Sequence, residues 1–437
     1  MKEKTMQTFT VGFAIFAMLF GAGNLIFPPF LGMHAGKNWL FGLAGFLLMD
    51  VIISMITLMI TSKKADGVNG IVGILGDRLS KILMLALYIC IGPLVAIPRT
   101  AATTYELSII PNIPQLNSVV FSIIFFVVVL LLTIKPSKII DVVGTVLAPI
   151  LLITLAVLII KGIINPLGTI ASGDPLSTTI NVGISTGYQT MDIIASLAFF
   201  IIIANQIKAY NLPSKKEENS IMKNACIVAA VALALVYGGL CYLGATVSNS
   251  YSMDLSRADI MIALAKDILG PAGLIILAVI VCAACLTTAI GLVSSCASFL
   301  EELTHKKVSY QVFAVIICVF SAVTCNFGLD NIIALAAPIL NIIYPILLTL
   351  IILSVIKMSA LPLVGRYGAL VGTLAFVVLE FIETYISNTS LATSLPLASF
   401  GFGWVVPCIT GLIIGTGLGK IISSVQSTSE NRIVAKQ

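Results

Sequence analysis

Twelve apolar runs follow one another along the chain, at 8–33, 38–61, 82–107, 116–134, 140–163, 184–207, 225–248, 272–299, 310–327, 331–356, 367–388 and 400–424. Charged or Pro/Gly/Asn-rich breaks separate them. Most are 18 to 27 residues long and apolar on all sides. Such runs predict membrane-spanning helices, because about 20 apolar residues are needed to cross the hydrocarbon. A closed barrel would show alternating segments of about ten residues instead. The expected fold class is an all-α polytopic membrane protein with twelve transmembrane helices. Between the seventh and eighth runs, around 249–271, Ile260, Leu264 and Ile268 recur at helical spacing. This predicts a short helix on the outer face, serving as a cover or as a lid.

Composition supports the same picture. Hydrophobic residues make up 59% and charged ones 10%, with a mean hydropathy of +1.10. Soluble domains average roughly 45–50% and about 25%, so no soluble fold hides this much apolar surface. The first run is too long for a signal peptide and has no small-x-small cleavage site, so it reads as the first span. The net charge of +5 does not point to nucleic acid. With the N-terminus inside, 19 of the 24 Lys and Arg residues fall on the inner side. Four (Lys37, Lys161, Arg257 and Lys266) fall outside, and Arg99 lies within a span. The positive-inside rule therefore predicts an even number of spans with both termini cytoplasmic.

Candidate enzyme chemistry is missing. Nearly all nine cysteines lie within apolar runs, where they act as small hydrophobes. Cys282 and Cys285 form a CxxC on an apolar helix with no His or carboxylate nearby. His34 and His305 are the only histidines and lie far apart, so no metal site is expected. No paired-carboxylate motif or Ser/His/Asp set is visible. The glycine-rich loop 62–81 lacks the GK[ST] ending of a phosphate loop.

The chemistry that is present lies in interrupted spans. "FAMLFGAGNLIFPPF" places Gly21, Gly23, Asn24, Pro28 and Pro29 inside the first run, and the sixth run carries Gly187, Asp192 and Ser196 among small residues. Runs one and six are the first members of two sets of five. Breaks at matching places in two halves point to a carrier with inverted repeats and a midplane site, although residues 1–180 and 181–360 share no detectable identity. At a break, freed N–H groups suit a carboxylate, and freed carbonyls suit an ammonium group or a small cation. An amino-acid zwitterion fits both. Pro28 and Pro29 are expected in the first turn of the outer half-helix, where missing donors cost little. In the eighth run, Thr287 and Thr288 are either back-bonded to their own helix or ligands of a hard cation. Asp50, Arg99, Glu106, Asp192, Glu380 and Glu383 are ionisable groups within spans, each costly there. Arg99 and Glu106, seven residues apart on one face, read as a structural ion pair, an outer gate or charge near the substrate path.

Four stretches, "LFGAGNLIFPP" (19–29), "GPLVAIPRTA" (92–101), "GYQTMDIIASLAF" (187–199) and "CLTTAIGL" (285–292), resemble in order the signatures of the branched-chain amino acid:cation symporter family, the BrnQ-type carriers. The resemblance covers essentially the whole chain. It implies import of leucine, isoleucine and valine with a cation, usually Na⁺, across a bacterial plasma membrane, with no other cofactor. It also implies the LeuT-type fold: a ten-helix core over 1–356, with inverted repeats at about 8–163 and 184–356, then two helices and a tail over 357–437. Carried onto this chain, the substrate carboxylate falls on the backbone around Ala22, Gly23 and Asn24. The cation falls on the carbonyls of Ala17, Phe20 and Ala284 and the hydroxyls of Thr287 and Thr288. The sixth-span break is expected near Ser196 to Phe199, with Asp192 one turn before and Phe199 closing over an aliphatic side chain. The fifth span has no central Lys or carboxylate to carry a proton, which favours Na⁺ over H⁺ without deciding between them. A carrier of the same fold for another small neutral solute is the alternative. A channel would need a sustained polar stripe that no run has.

Overall fold

The computed structural model describes residues 2–64, 67–134, 147–356, 361–386 and 390–434. Over these residues the chain is helical, without strands. Each of the twelve apolar runs has a helical counterpart, and eight helices are long and apolar enough to cross a membrane. The expected start of the fifth span, 140–146, lies outside the described residues, as do Lys135, Lys138, Lys357 and Lys436.

The first run is two helices, α1 (Lys2–Leu19) and α2 (Ala22–Ala35), joined through an extended Gly21. The second is α3 (Trp39–Leu47) and α4 (Ile53–Lys63), with one wide π-turn, Leu48–Ile52, between them. The third run is also interrupted: α5 (Asp77–Ile89) gives way to a π-turn containing Pro93 and a non-helical Gly92, and α6 (Ala96–Thr104) follows. Then come α7 (Ser118–Thr133), α8 (Ala148–Ile164), the broken sixth span α9 (Leu176–Thr190) and α10 (Asp192–Ala209), and α11 (Lys215–Thr246). The short helix predicted from its period is α12 (Arg257–Leu269), which buries Ile260, Leu264 and Ile268. The remaining long helices are α13 (Ala272–Leu303), α14 (Tyr310–Thr324), α15 (Leu329–Val355), α16 (Leu363–Tyr385) and α17 (Val405–Val434).

The chain forms two compact units. One is Met1–Ala65 with Ile82–Ala337, and the other is Asp66–Lys81 with Pro338–Gln437. Within the first unit, α11 packs along α1 and α2, α9 along α3, and α13 against α6 and α14. With no hydrophobic drive between helices inside a bilayer, close backbone approach has to supply the packing. Glycine makes it possible: a Cβ at Gly32 would run into the Cys241 carbonyl, and one at Gly183 into the Gly42 carbonyl. In the second unit, Gly368 and Gly411 let α16 and α17 meet in the same way.

Two expectations about the breaks are corrected. Pro28 and Pro29 lie in the second turn of α2, not the first, because the helix resumes at Ala22 directly after Gly21. Their missing N–H groups leave the carbonyls of Asn24 and Leu25 without the usual partner four residues on. The sixth span breaks at Met191, not at Ser196 to Phe199. Met191 adopts the left-handed conformation (φ 68°, ψ 16°) and caps α9, so Ser196 and Phe199 are interior residues of α10.

Candidate substrate and cation site

Both breaks border the same small cavity. Its wall includes Gly21, Ala22, Arg99, Thr190, Asp192 and Thr288, and it leaves about 20 Å³ for the centre of a water molecule. That is room for about one water. Ala22, Gly23 and Asn24 form the first turn of α2, where N–H groups have no intrahelical acceptor. The Asn24 side chain closes part of that end, its Oδ1 accepting from the Gly21 N–H at 3.3 Å.

The other end of the Asn24 amide joins four spans. Its Nδ2 lies 2.6 Å from the Tyr237 hydroxyl, 2.9 Å from Asp192 Oδ2 and 3.1 Å from Asp50 Oδ1. All four side chains are buried. Two N–H bonds serve three oxygens, which pins the amide in one orientation. Asp50 reaches this cluster from the π-turn of the second span, where the extra residue per turn widens the helix. Asp192 reaches it from the first residue of α10, where the positive end of a helix favours a carboxylate.

The expected cation ligands are partly assembled. Thr287 Oγ1 lies 2.8 Å from the Ala17 carbonyl and 2.9 Å from that of Ala284. Thr288 Oγ1 meets the Met18 carbonyl at 3.0 Å. Both threonines therefore reach across from α13 to the end of α1. Phe20 stacks its ring on Tyr237 at 5.8 Å, and its amide donates to the Phe16 carbonyl. Residues Ala17, Ala284 and Thr287 are thus together, and Thr288 sits one residue along.

Arg99 and Glu106 go to different partners. Arg99, in α6, is 4% exposed; its Nη1 donates to the Gln189 carbonyl at 2.6 Å and its Nη2 to that of Thr190 at 3.1 Å. Glu106 accepts from the Leu329 N–H at 2.8 Å, at the start of α15. Ser196 Oγ donates to the Ile193 carbonyl, and the buried Phe199 ring lies against Gly291 rather than on the cavity wall. Arg257 of α12 stacks on Phe27 and Phe30 of α2 at 5.6 and 4.7 Å and pairs with Asp330 at 3.9 Å.

Sequence reasoning missed Tyr237, Met191 and the third-span break. Tyr237 had a signal: a phenol deep in an apolar run needs a polar partner. The Gly92–Pro93 pair was a signal too. Met191 had none.

Two broken helices, facing N–H groups and carbonyls around one cavity, invite comparison with known carriers. A family model described as "Branched-chain amino acid transport protein" matches residues 4–422. The chain belongs to that family. Among its relatives, the branched-chain amino acid permease BraB of Bacillus subtilis (strain 168) is 36% identical over 443 residues, covering 97% of this chain and 98% of BraB. The permease BrnQ of the same organism is 34% identical, covering 93% and 95%. The branched-chain family member described here is thus a transporter and not an enzyme, a multi-pass protein of the bacterial plasma membrane. Its fold is similar to that of a Na⁺-coupled sialic acid symporter in a substrate-bound outward-open state (TM-score 0.65, 14% identity, 95% and 89% covered). MhsT in complex with L-phenylalanine is similar at a TM-score of 0.56, with 14% identity and 93% and 98% covered.

Proposed function

We propose that this carrier imports leucine, isoleucine and valine together with Na⁺ by alternating access, through twelve spans with both termini in the cytoplasm. The observation that carries the reading is the meeting of the two breaks at one cavity. The first turn of α2 offers N–H groups to the substrate carboxylate at Ala22, Gly23 and Asn24, and Asp192, which lines the same cavity, takes its ammonium group. The cation takes the oxygens of Ala17, Ala284, Thr287 and Thr288, which already converge between α1 and α13. Because those ligands come from two helices, Na⁺ ties α1 to α13, and this favours the arrangement to which substrate binds. An apolar pocket separates neighbours differing by one methylene by only about 1–3 kcal/mol, so all three branched residues are accepted.

Labelled leucine uptake into proteoliposomes tests this. An imposed Na⁺ gradient is expected to drive accumulation, and a proton gradient alone is not. Uptake that ignores Na⁺ would remove the coupling claim. Leucine uptake unaffected by excess isoleucine and valine would remove the substrate claim.

A further inference from the structure

The break of the sixth span frees carbonyls at the C-terminal end of α9, the negative end of a helix dipole. In broken-helix carriers such carbonyls are where a cation is held. In this chain a side chain is already there. Arg99 places its two terminal nitrogens on the Gln189 and Thr190 carbonyls, at 2.6 and 3.1 Å. The same Nη2 lies 3.0 Å from the position that a Cβ on Gly23 would occupy. The guanidinium therefore reaches from one break to the other, and glycine at position 23 leaves it room to do so. Arg99 and the first turn of α2 both wall the cavity.

We propose that Arg99 is a built-in cation that receives the carboxylate of the substrate, doing the work that a second dissolved cation would otherwise do. The inference rests on the reading of the cavity as an amino-acid site. Three properties suit the group to this task. It keeps its charge under all conditions. Its planar fork matches a carboxylate with two parallel hydrogen bonds. Its span also differs from those that supply the N–H groups and the Na⁺ ligands, so bound substrate joins α6 to both breaks. The ligand class follows: a small zwitterion with a free carboxylate is accepted, and the corresponding amide or amine is refused. The competing role is that of counter-charge to Asp192, which faces the same cavity.

The test is equilibrium binding of leucine and of leucinamide to the purified protein in Na⁺, comparing wild type, Arg99→Gln, Arg99→Lys and the double variant Arg99→Gln/Asp192→Asn. Wild type is expected to prefer leucine by about a hundredfold or more, since a site built to hydrogen-bond a substrate group rejects the analogue lacking it. Arg99→Gln is expected to bring the preference to less than about tenfold, and Arg99→Lys, which keeps charge without the fork, to fall between. A wild-type preference retained in Arg99→Gln, or restored by removing the Asp192 charge, makes Arg99 a counter-charge only and overturns the proposal. Should Arg99→Gln not fold, an unchanged preference in Arg99→Lys overturns it equally. Failure of wild type to bind leucine at all overturns the substrate reading, and this inference with it. Binding with unaltered discrimination overturns this inference alone.

Discussion

Asn24 does two jobs with one amide. Its oxygen caps the start of α2, and its nitrogen holds Asp50, Asp192 and Tyr237 together. Asn24→Ala leaves two buried carboxylates without their shared donor, and an unmet buried partner costs about 1–3 kcal/mol, more when charged. The expected outcome is a lower thermal midpoint of the detergent-solubilised protein and loss of leucine uptake. A midpoint equal to wild type would show that the cluster bears no strain of this kind. Thr288→Val removes a hydroxyl at nearly constant volume. It is expected to raise the Na⁺ concentration for half-maximal uptake about tenfold, the loss of one ligand contact of about 1.4 kcal/mol. An unchanged Na⁺ curve would assign Thr288 to packing against Met18. At this scale, Asn24 was legible because a polar residue just after two glycines has no business in an unbroken span. Tyr237 was legible only in part: a phenol deep in an apolar run calls for a polar partner, but the sequence does not say which.

Of the two breaks around the cavity, one uses glycine and the other does not. Gly21 turns the chain with an extended backbone, and its flanking glycine and prolines made that break readable. Met191 instead takes the left-handed region, where a residue with a Cβ is disfavoured. Nothing in the local sequence announces such a cap, because tertiary packing imposes it. The break therefore lies five to eight residues before the expected one, about one and a half to two helical turns, and Ser196 and Phe199 fall inside α10. Met191→Gly is expected to keep the fold, whereas Met191→Val, with a branched Cβ at positive φ, should lower stability by about 1–3 kcal/mol. Thermal unfolding of the two variants checks this; equal midpoints would mean that the backbone relaxes freely there. Helix α12 was legible from its period alone, since an apolar face covering other helices repeats as any amphipathic helix does.

For the whole molecule, the side chains sort by span. Asn24, Asp50, Asp192 and Tyr237 tie together the first, second, sixth and seventh spans, while Arg99, Thr287 and Thr288 reach toward the breaks from the third and eighth. That the chain is all-helical, with long apolar helices following one another along the described residues, was readable because hydrocarbon thickness fixes their length. The pairing of spans was not, because glycine-lined contacts carry no complementary code along the chain. In the second unit, the α16–α17 contact supplies a separate test. Gly368→Leu drives a side chain into the Gly411 backbone, an overpacking cost of about 1–3 kcal/mol or more. Lower yield and thermal stability are expected, with unchanged leucine uptake per folded molecule; a loss of specific uptake would show that this pair governs transport.

The cavity between the breaks has one more consequence. With room for about one water, it has no space for the side chain of a leucine. An amino acid therefore enters only if the helices that line it, α2, α6, α10 and α13 among them, draw apart. Loading such a carrier is already a change of shape, and part of the binding energy of the solute goes into opening the place where it sits.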